Sequence, residues 1–294
     1  MADSFIKTAR DMLWGVWHEL GVPGTVRIPN LPVIDLDWLV IHSPFFAAGD
    51  PRLDEMVFSW CVHNHAMIGA RRVRALVAEV PDEVSDTFWK WSAELRSQVR
   101  INWIEARQAV STDRVVRRLR PDLLRPALTQ LRARAVFGVG ARADIICVLL
   151  ERDGEWLRAR EFMDQGYSKN AVTSVLADLT RAGLVSLRRT GNTDLYTLTA
   201  RPELASLLRS RNASWLPWNH LFHVTTVLSL LERHQTKPQP VRLVEASRAW
   251  QAILASVVAL GWPEPPSTNK LSIDALGSLL AWGIEQMELK RTEG

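Results

Sequence analysis

Two cysteines in 294 residues, Cys61 and Cys147, leave no disulfide framework to hold a fold, and so low a count fits a reducing compartment. Long apolar runs are lacking too. The longest, Ala249 to Trp262, is interrupted by Gln251 and Ser256 and falls short of the roughly 20 residues that a spanning helix needs. No basic, apolar, small-residue leader opens the chain, because the first helical stretch, Ser4 to Leu20, mixes Lys7, Arg10, Asp11, His18 and Glu19 among its apolar positions. Internal repeats and low-complexity tracts are missing as well. These absences predict a soluble cytoplasmic protein. What is present predicts a folded one: 47% hydrophobic and 23% charged residues match ordinary globular composition, and the length suffices for about two domains.

The formal charge of +4 and a pI near 9.4 permit a polyanionic partner without requiring one. Arginine is the dominant cation. Between Arg100 and Arg134, nine arginines (Arg100, Arg107, Arg114, Arg117, Arg118, Arg120, Arg125, Arg132 and Arg134) face three acids (Glu105, Asp113 and Asp122), a local excess of six charges. Such a run is either a patch for a polyanion or a set of cations that pair with acids elsewhere in the fold.

Periodicity predicts a mainly α protein in three regions: a helical N-terminal region over 1–135, a compact unit over 136–200, and a helical region over 201–294. In the first, Asp50-Pro51 offers an N-cap and a donor-free first turn, and Leu53, Met56, Val57, Trp60 and Cys61 follow at helical spacing. Helices are expected near 68–80 and 85–95, after a short extended piece that ends at Val33-Ile-Asp-Leu-Asp37. In the last region three helices are expected, near 218–234, 241–260 and 273–289, separated by Lys237-Pro-Gln-Pro240 and Gly261-Trp-Pro-Glu-Pro-Pro-Ser267.

The central region carries the chemistry. Helices are expected over 141–151 and 156–163, the second ended by Gly166. Ser168 is the natural N-cap of a third helix, whose Val172, Val175, Leu176 and Leu179 form one apolar stripe. Lys169, Asn170, Thr173, Ser174 and Arg181 are left on the other face. Gly183 closes that helix, and 184–189 with 194–198 predict a β-hairpin around Thr190 to Thr193, with Leu184, Leu195 and Leu198 offered to the core. Amides and hydroxyls in the first turns of a helix can read base edges in a major groove, while lysine and the helix N-terminus suit phosphates. Arg188, Arg189 and Asn192 lie where a wing could straddle a phosphate backbone. Residues 140–199 hold eight basic and eight acidic side chains, so attraction to DNA depends on how those charges are segregated.

The stretch "YSKNAVTSVLADLTRAGLVSLRR" resembles bacterial winged helix-turn-helix readers of the MarR/ArsR kind over about 60 residues. That resemblance implies a winged helix-turn-helix of three helices and a hairpin wing, flanked here by helical N- and C-terminal regions. It further implies double-stranded DNA as partner, repressor function and a homodimer, with Lys169, Asn170, Thr173 and Ser174 in the groove and Arg188, Arg189 and Asn192 on the wing. A weaker likeness, carried by "DPRLDEMVFSWCVHNHAMIGARRVRAL", "LRARAVFGVGARADIICVLL" and "WLPWNHLFHVTTVLSLLERH", is to winged-helix partners of abortive-infection nucleotidyltransferase toxins. It implies an antitoxin that binds a partner protein and represses its own promoter.

Enzyme and cofactor readings are weaker. On a helix, Cys61 and His65 share a face, but His63 points away and a second ligand pair is missing, which disfavours zinc. His220 and His223 sit beside Trp215, Trp218 and Phe222 and read as packed helix residues. Asp35 and Asp37 mimic the paired carboxylates of a metal-dependent nucleotidyltransferase, without the upstream Gly-Ser motif or an evident third carboxylate. Gly138-Val-Gly140 lacks the lysine of a phosphate cradle and reads as a joint. Among the 13 tryptophans, Trp14, Trp17, Trp60, Trp89, Trp91 and Trp103 fall at helical spacing, as packing residues rather than base-stacking platforms. No catalytic residue, metal or cofactor is expected.

Overall fold

A computed structural model describes residues 4–100, 113–211, 213–266 and 274–292. Arg107 and Trp103 lie outside the described residues. Among those described, thirteen α-helices and one three-stranded antiparallel sheet make a mainly helical protein, and no helix is long and apolar enough to cross a membrane.

The chain begins with α1 (Phe5–Glu19), whose stripe of Phe5, Ala9, Met12, Leu13, Val16 and Trp17 is buried. Its N-cap residue, Ser4, makes no side-chain capping bond. Instead the Glu232 carboxylate accepts the amides of Phe5 and Ile6 at 2.8 and 2.9 Å, so a negative charge from a distant helix satisfies the positive end of this one.

The next helix, α2 (Leu36–Ala47), corrects the expectation of an extended piece ending at Asp37. All twelve of its residues are buried, so it shows no polar face and hence no helical period to read. Its start is nevertheless specified: the Asp35 carboxylate accepts the amides of Asp37 and Trp38, and Asp35 itself is extended, at φ −84° and ψ 101°. Further on lie α3 (Pro51–Asn64), α4 (Ala70–Val77), α5 (Asp82–Gln98) and α6 (Thr129–Phe137). At α3 the capping expected of Asp50 is present, its carboxylate accepting the Leu53 amide at 3.1 Å, and Leu53, Met56, Val57, Trp60 and Cys61 are buried as their spacing requires.

The central region runs α7 (Ala141–Glu151), β1 (Leu157–Arg158), α8 (Ala159–Met163), α9 (Lys169–Arg181), β2 (Val185–Thr190) and β3 (Thr193–Leu198). The single helix expected over 156–163 is therefore a two-residue strand followed by a short helix, and β1 pairs with β3 to give the sheet order β1-β3-β2. The remaining helices are α10 (Arg201–Leu207), which the sequence did not announce, then α11 (Trp218–Glu232), α12 (Gln239–Ala259) and α13 (Ala275–Thr292).

Burial organises these elements into two apolar clusters. The larger unites α1 to α5 with α11 to α13. Residues of the expected N- and C-terminal regions thus share one core. The smaller cluster runs from Ala133 to Leu208 and contains α7, α8, α9, α10 and the inner face of the sheet. Segments 113–125 lie between helices as irregular chain laid against the larger body.

In the middle of the larger core, His42 stacks on Phe222 with ring centroids 4.5 Å apart, and its Nδ1 bonds the Trp38 carbonyl at 3.0 Å. Desolvation pulls its pKa down to about 4. The unfolded chain protonates this side chain near 6.5 and the native protein does not, so native stability falls as pH drops from about 6.5 towards 4. The expected loss from this group is up to about 1.4 kcal/mol per pH unit, measured by urea unfolding across that window, and His42→Leu is expected to flatten the slope above pH 5, where few carboxylates titrate.

Candidate nucleic-acid interface and the charge network beneath it

Helix α9 is fixed at both ends by local chemistry. Ser168 Oγ accepts the Ala171 amide at 3.4 Å. At the other end Gly183 takes φ 71°, and the amides of Gly183 and Leu184 bond the carbonyls of Thr180 and Leu179, each at 3.0 Å, the paired bonds of a Schellman stop. Val172, Leu176 and Leu179 are buried against α7 and α8, and Val175 is half-buried. That stripe leaves Lys169, Asn170 and Ser174 exposed. Thr173 is half-buried, and its hydroxyl donates back to the helix carbonyls of Lys169 (2.9 Å) or Asn170 (3.2 Å). Among the described residues, none covers the side chains of Lys169, Asn170 and Ser174.

The hairpin brings the rest of the predicted site beside α9. Val185 pairs with Leu198 and Thr190 with Thr193, so Gly191, at φ 59°, and Asn192 form a two-residue turn with Asn192 exposed at its tip. Strand period corrects one expectation: Leu195 and Leu198 are three apart and face opposite sides, and Tyr196, not Leu195, is buried with Val185 and Leu157. The two hairpin arginines are not free. Arg189 Nε donates to Asp194 at 3.0 Å across the strands, and the Arg188 guanidinium lies 4.5 Å from the centre of the Trp156 ring, a cation–π contact. Arg188 and Arg158 both register with Leu195, on β2 and β1 respectively, so they share the outer face of the sheet. Arg158 lies in β1 and Arg160 in α8, and the alternation of cations in Trp156-Leu-Arg-Ala-Arg160 is the sequence signal for the strand. At the far end of α9, Arg142 and Arg181 both pair with Asp178, at 3.0 and 2.8 Å.

The expected basic run is largely spent inside the structure. Arg114 bonds Asp54 and Glu94, Arg117 bonds Glu55, and Arg125 bonds Glu19. Arg132 donates to the carbonyls of Leu123, Arg125 and Leu208, and Arg134 is fully buried. Arg100, Arg118 and Arg120 remain on the surface. The reading of cations that pair with acids elsewhere therefore holds for four of the nine, Arg114, Arg117, Arg125 and Arg134, while Arg132 is held by carbonyls.

Beneath α8 and α9 lies a constellation that no local pattern announced. Asp37, fully buried, accepts Arg134 Nη2 at 2.6 Å, Arg134 Nη1 at 3.0 Å, Arg72 Nη1 at 3.1 Å and the Gly69 amide at 2.9 Å. Arg72 also forks onto both oxygens of Asp35 at 2.5 Å and reaches the Gln165 carbonyl and side chain. Arg134 forks onto Asp144 at 3.1 and 2.9 Å, and Tyr167 donates to Asp144 at 2.5 Å. Three carboxylates thus share two guanidiniums in the interior. Desolvation pushes Asp37 upward, but Arg134 and Arg72 outweigh it and hold the carboxyl at about 2. Burial and the Asp144 charge raise the Tyr167 phenol above its usual range, keeping it a donor. Gly69 is required by this closeness, since a Cβ there would come within 2.7 Å of an Asp37 oxygen.

The paired carboxylates noted in the sequence are therefore bound to arginines, and the third, Asp144, arrives from a helix rather than a strand. Cys61 is buried in the larger core, while His63 and His65 bond the carbonyls of Ser59 and Val62. His220 and His223 both turn to α12, bonding Ser256 Oγ and the Ala252 carbonyl at 3.1 Å. Gly138 and Gly140 take φ 83° and 146°, joining α6 to α7. Compared with known proteins, the chain matches no family, no curated protein and no solved structure.

Removing one partner of a buried ion network strands the others without solvent. Arg134→Met is expected to cost about 3–5 kcal/mol in urea unfolding, whereas Arg117→Ala, on an exposed pair, is expected to cost about 0–1 kcal/mol. Tyr167→Phe, which deletes one bond to a carboxylate, falls between them at about 1.5–3 kcal/mol.

Proposed function

We propose that the chain binds double-stranded DNA sequence-specifically and acts as a transcriptional repressor, with α7, α8 and α9 as a helix-turn-helix core and the β2–β3 hairpin as its wing. The observation that carries this reading is the open first half of α9: Lys169, Asn170 and Ser174 stand in solvent beside a hairpin that presents Asn192 and two arginines. In this reading Asn170 and Ser174 read base edges, Thr173 offers its methyl or its remaining lone pair, and Lys169 meets a phosphate. Arg188, Arg189 and Asn192 contact the flanking backbone, joined by Arg158 on the same face of the sheet. A homodimer would set two such helices about one DNA turn apart.

A second reading is favoured by the ion pairs. Arg189, Arg142 and Arg181 already have carboxylate partners, which lowers the pull on phosphates and suits an antitoxin or adaptor that grips a partner protein through the helical body. Selection of genomic fragments by the purified chain separates the two. A recurrent palindromic sequence supports the repressor, and co-purification with a neighbouring gene product without retention on DNA at low salt supports the adaptor.

If DNA is the partner, Lys169→Ala and Arg188→Ala are each expected to weaken binding to all sequences and to reduce the slope of log affinity against log salt by about one. Asn170→Ala is expected to relax base preference by about 1–3 kcal/mol at one position. Gel-shift titrations at several salt concentrations check all three, and unchanged slopes and preference would eliminate this face.

A further inference from the structure

Where the smaller unit meets the larger body there is a cavity of about 220 Å³, below the ~300–1,000 Å³ of sites for drug-sized ligands, and so suited to a small molecule. Its walls come from the start of α2, from α6, from the ends of α7 and α8, and from the segment leading into α11. Of its almost wholly buried polar residues, Asp144 and Trp218 are already bonded, to Arg134 and to the Val33 carbonyl, which leaves Trp38 and Gln130. Trp38 is 8% exposed and Gln130 5% exposed. Gln130 Oε1 accepts the Leu36 amide at 2.9 Å, which fixes the orientation of its amide and leaves the Nε2 protons over. Neither these protons nor the Trp38 indole N–H has a hydrogen-bond partner among the described residues, and both nitrogens keep some surface open to solvent, so an acceptor bound in the cavity would take the place of water there.

The rest of the lining has the opposite character. Glu151, Glu161 and Asp164 stand around the cavity. Glu151 is exposed by surface area, yet desolvation by the wall around its carboxyl raises its pKa, the condition in which a nearby positive charge gains most. Arg152, the one cation of the lining, is paired to Glu155 at 3.2 Å. Trp215, half-buried, supplies an aromatic surface, the kind on which quaternary ammonium groups are held. An anion is disfavoured by the carboxylates. A bare metal ion is disfavoured by the two donors and the indoles.

We infer that this cavity binds a small organic cation that also carries one neutral oxygen acceptor, the oxygen meeting the N–H groups of Trp38 and Gln130 and the cationic end lying against Trp215 and the three carboxylates. The site is independent of DNA contact, since none of these residues belongs to α9 or to the hairpin.

Isothermal titration of the full chain with three probes tests it. Choline has both the cation and the oxygen, tetramethylammonium lacks the oxygen, and 3,3-dimethylbutan-1-ol lacks the charge. Choline is expected to bind saturably and roughly three- to tenfold more tightly than either of the others, the worth of one hydrogen bond or one screened ion pair. Trp38→Phe is expected to remove the advantage of choline over tetramethylammonium while leaving tetramethylammonium unchanged. Glu151→Gln with Asp164→Asn is expected to weaken both cations and spare the alcohol. Circular dichroism confirms that each variant is folded. The inference is overturned by absence of saturable choline binding, by equal affinity for the uncharged alcohol, or by surface variants that bind all three probes as the parent does.

Discussion

Asp37 is the residue on which the arrangement turns. It lies in the interior without solvent exposure, so it persists as a carboxylate because Arg134 and Arg72 both reach it. Each arginine in turn holds a second aspartate, and these come from the start of α2 and from α7. A buried ion pair gives little net stability compared with an apolar replacement, because desolvation consumes the Coulombic gain. What it gives here is geometry. Fork-shaped guanidinium contacts tolerate little displacement, so α4, α6, α7 and the loop before α9 are referenced to one point.

That reference explains how a short helix such as α8, five residues long, can present α9 in a defined direction. The loop between them carries Gln165, gripped by Arg72, and Tyr167, bonded to Asp144. Between these two, Gly166 takes φ 79° and approaches Leu76 of α4 so closely that a Cβ would stand 3.2 Å from its side chain. The proposed DNA-binding face is thus set on the larger body by polar contacts on one side of the loop and by close backbone packing on the other. The apolar stripe of α9 fixes which face turns outward, and the charge network fixes where that face points.

How much of this could be read from the chain depended on the range over which its cause acts. The stripes of α3 and α9, the caps at Asp50 and Ser168 and the stop at Gly183 are local, and all were legible. Helix α2 was not, because a helix buried on every side has no polar phase to contrast with its apolar one. Asp35 and Asp37 were visible as a pair, but Arg134 lies 97 residues from Asp37, and no periodicity connects them. The same distance turned Arg114, Arg117 and Arg125 into an apparent patch, since their acids sit in α1, α3 and α5. At β1 the element is only two residues long, too short for alternation to outweigh the helical look of its neighbours. Of the candidate interface, the residues of α9 were found by their spacing, while Arg158 and the stacking partner of Arg188 waited on the strand pairing.

Arg132 has a consequence of its own. Its guanidinium binds carbonyls of Leu123 and Arg125 on the way into the smaller unit and of Leu208 on the way out, so entering and leaving strands of chain are clasped together at one neck. A body joined by a single thread can swivel about it, but one joined by two threads held side by side, and tied again by Arg72 to Gln165, is held against rotation at two separate places.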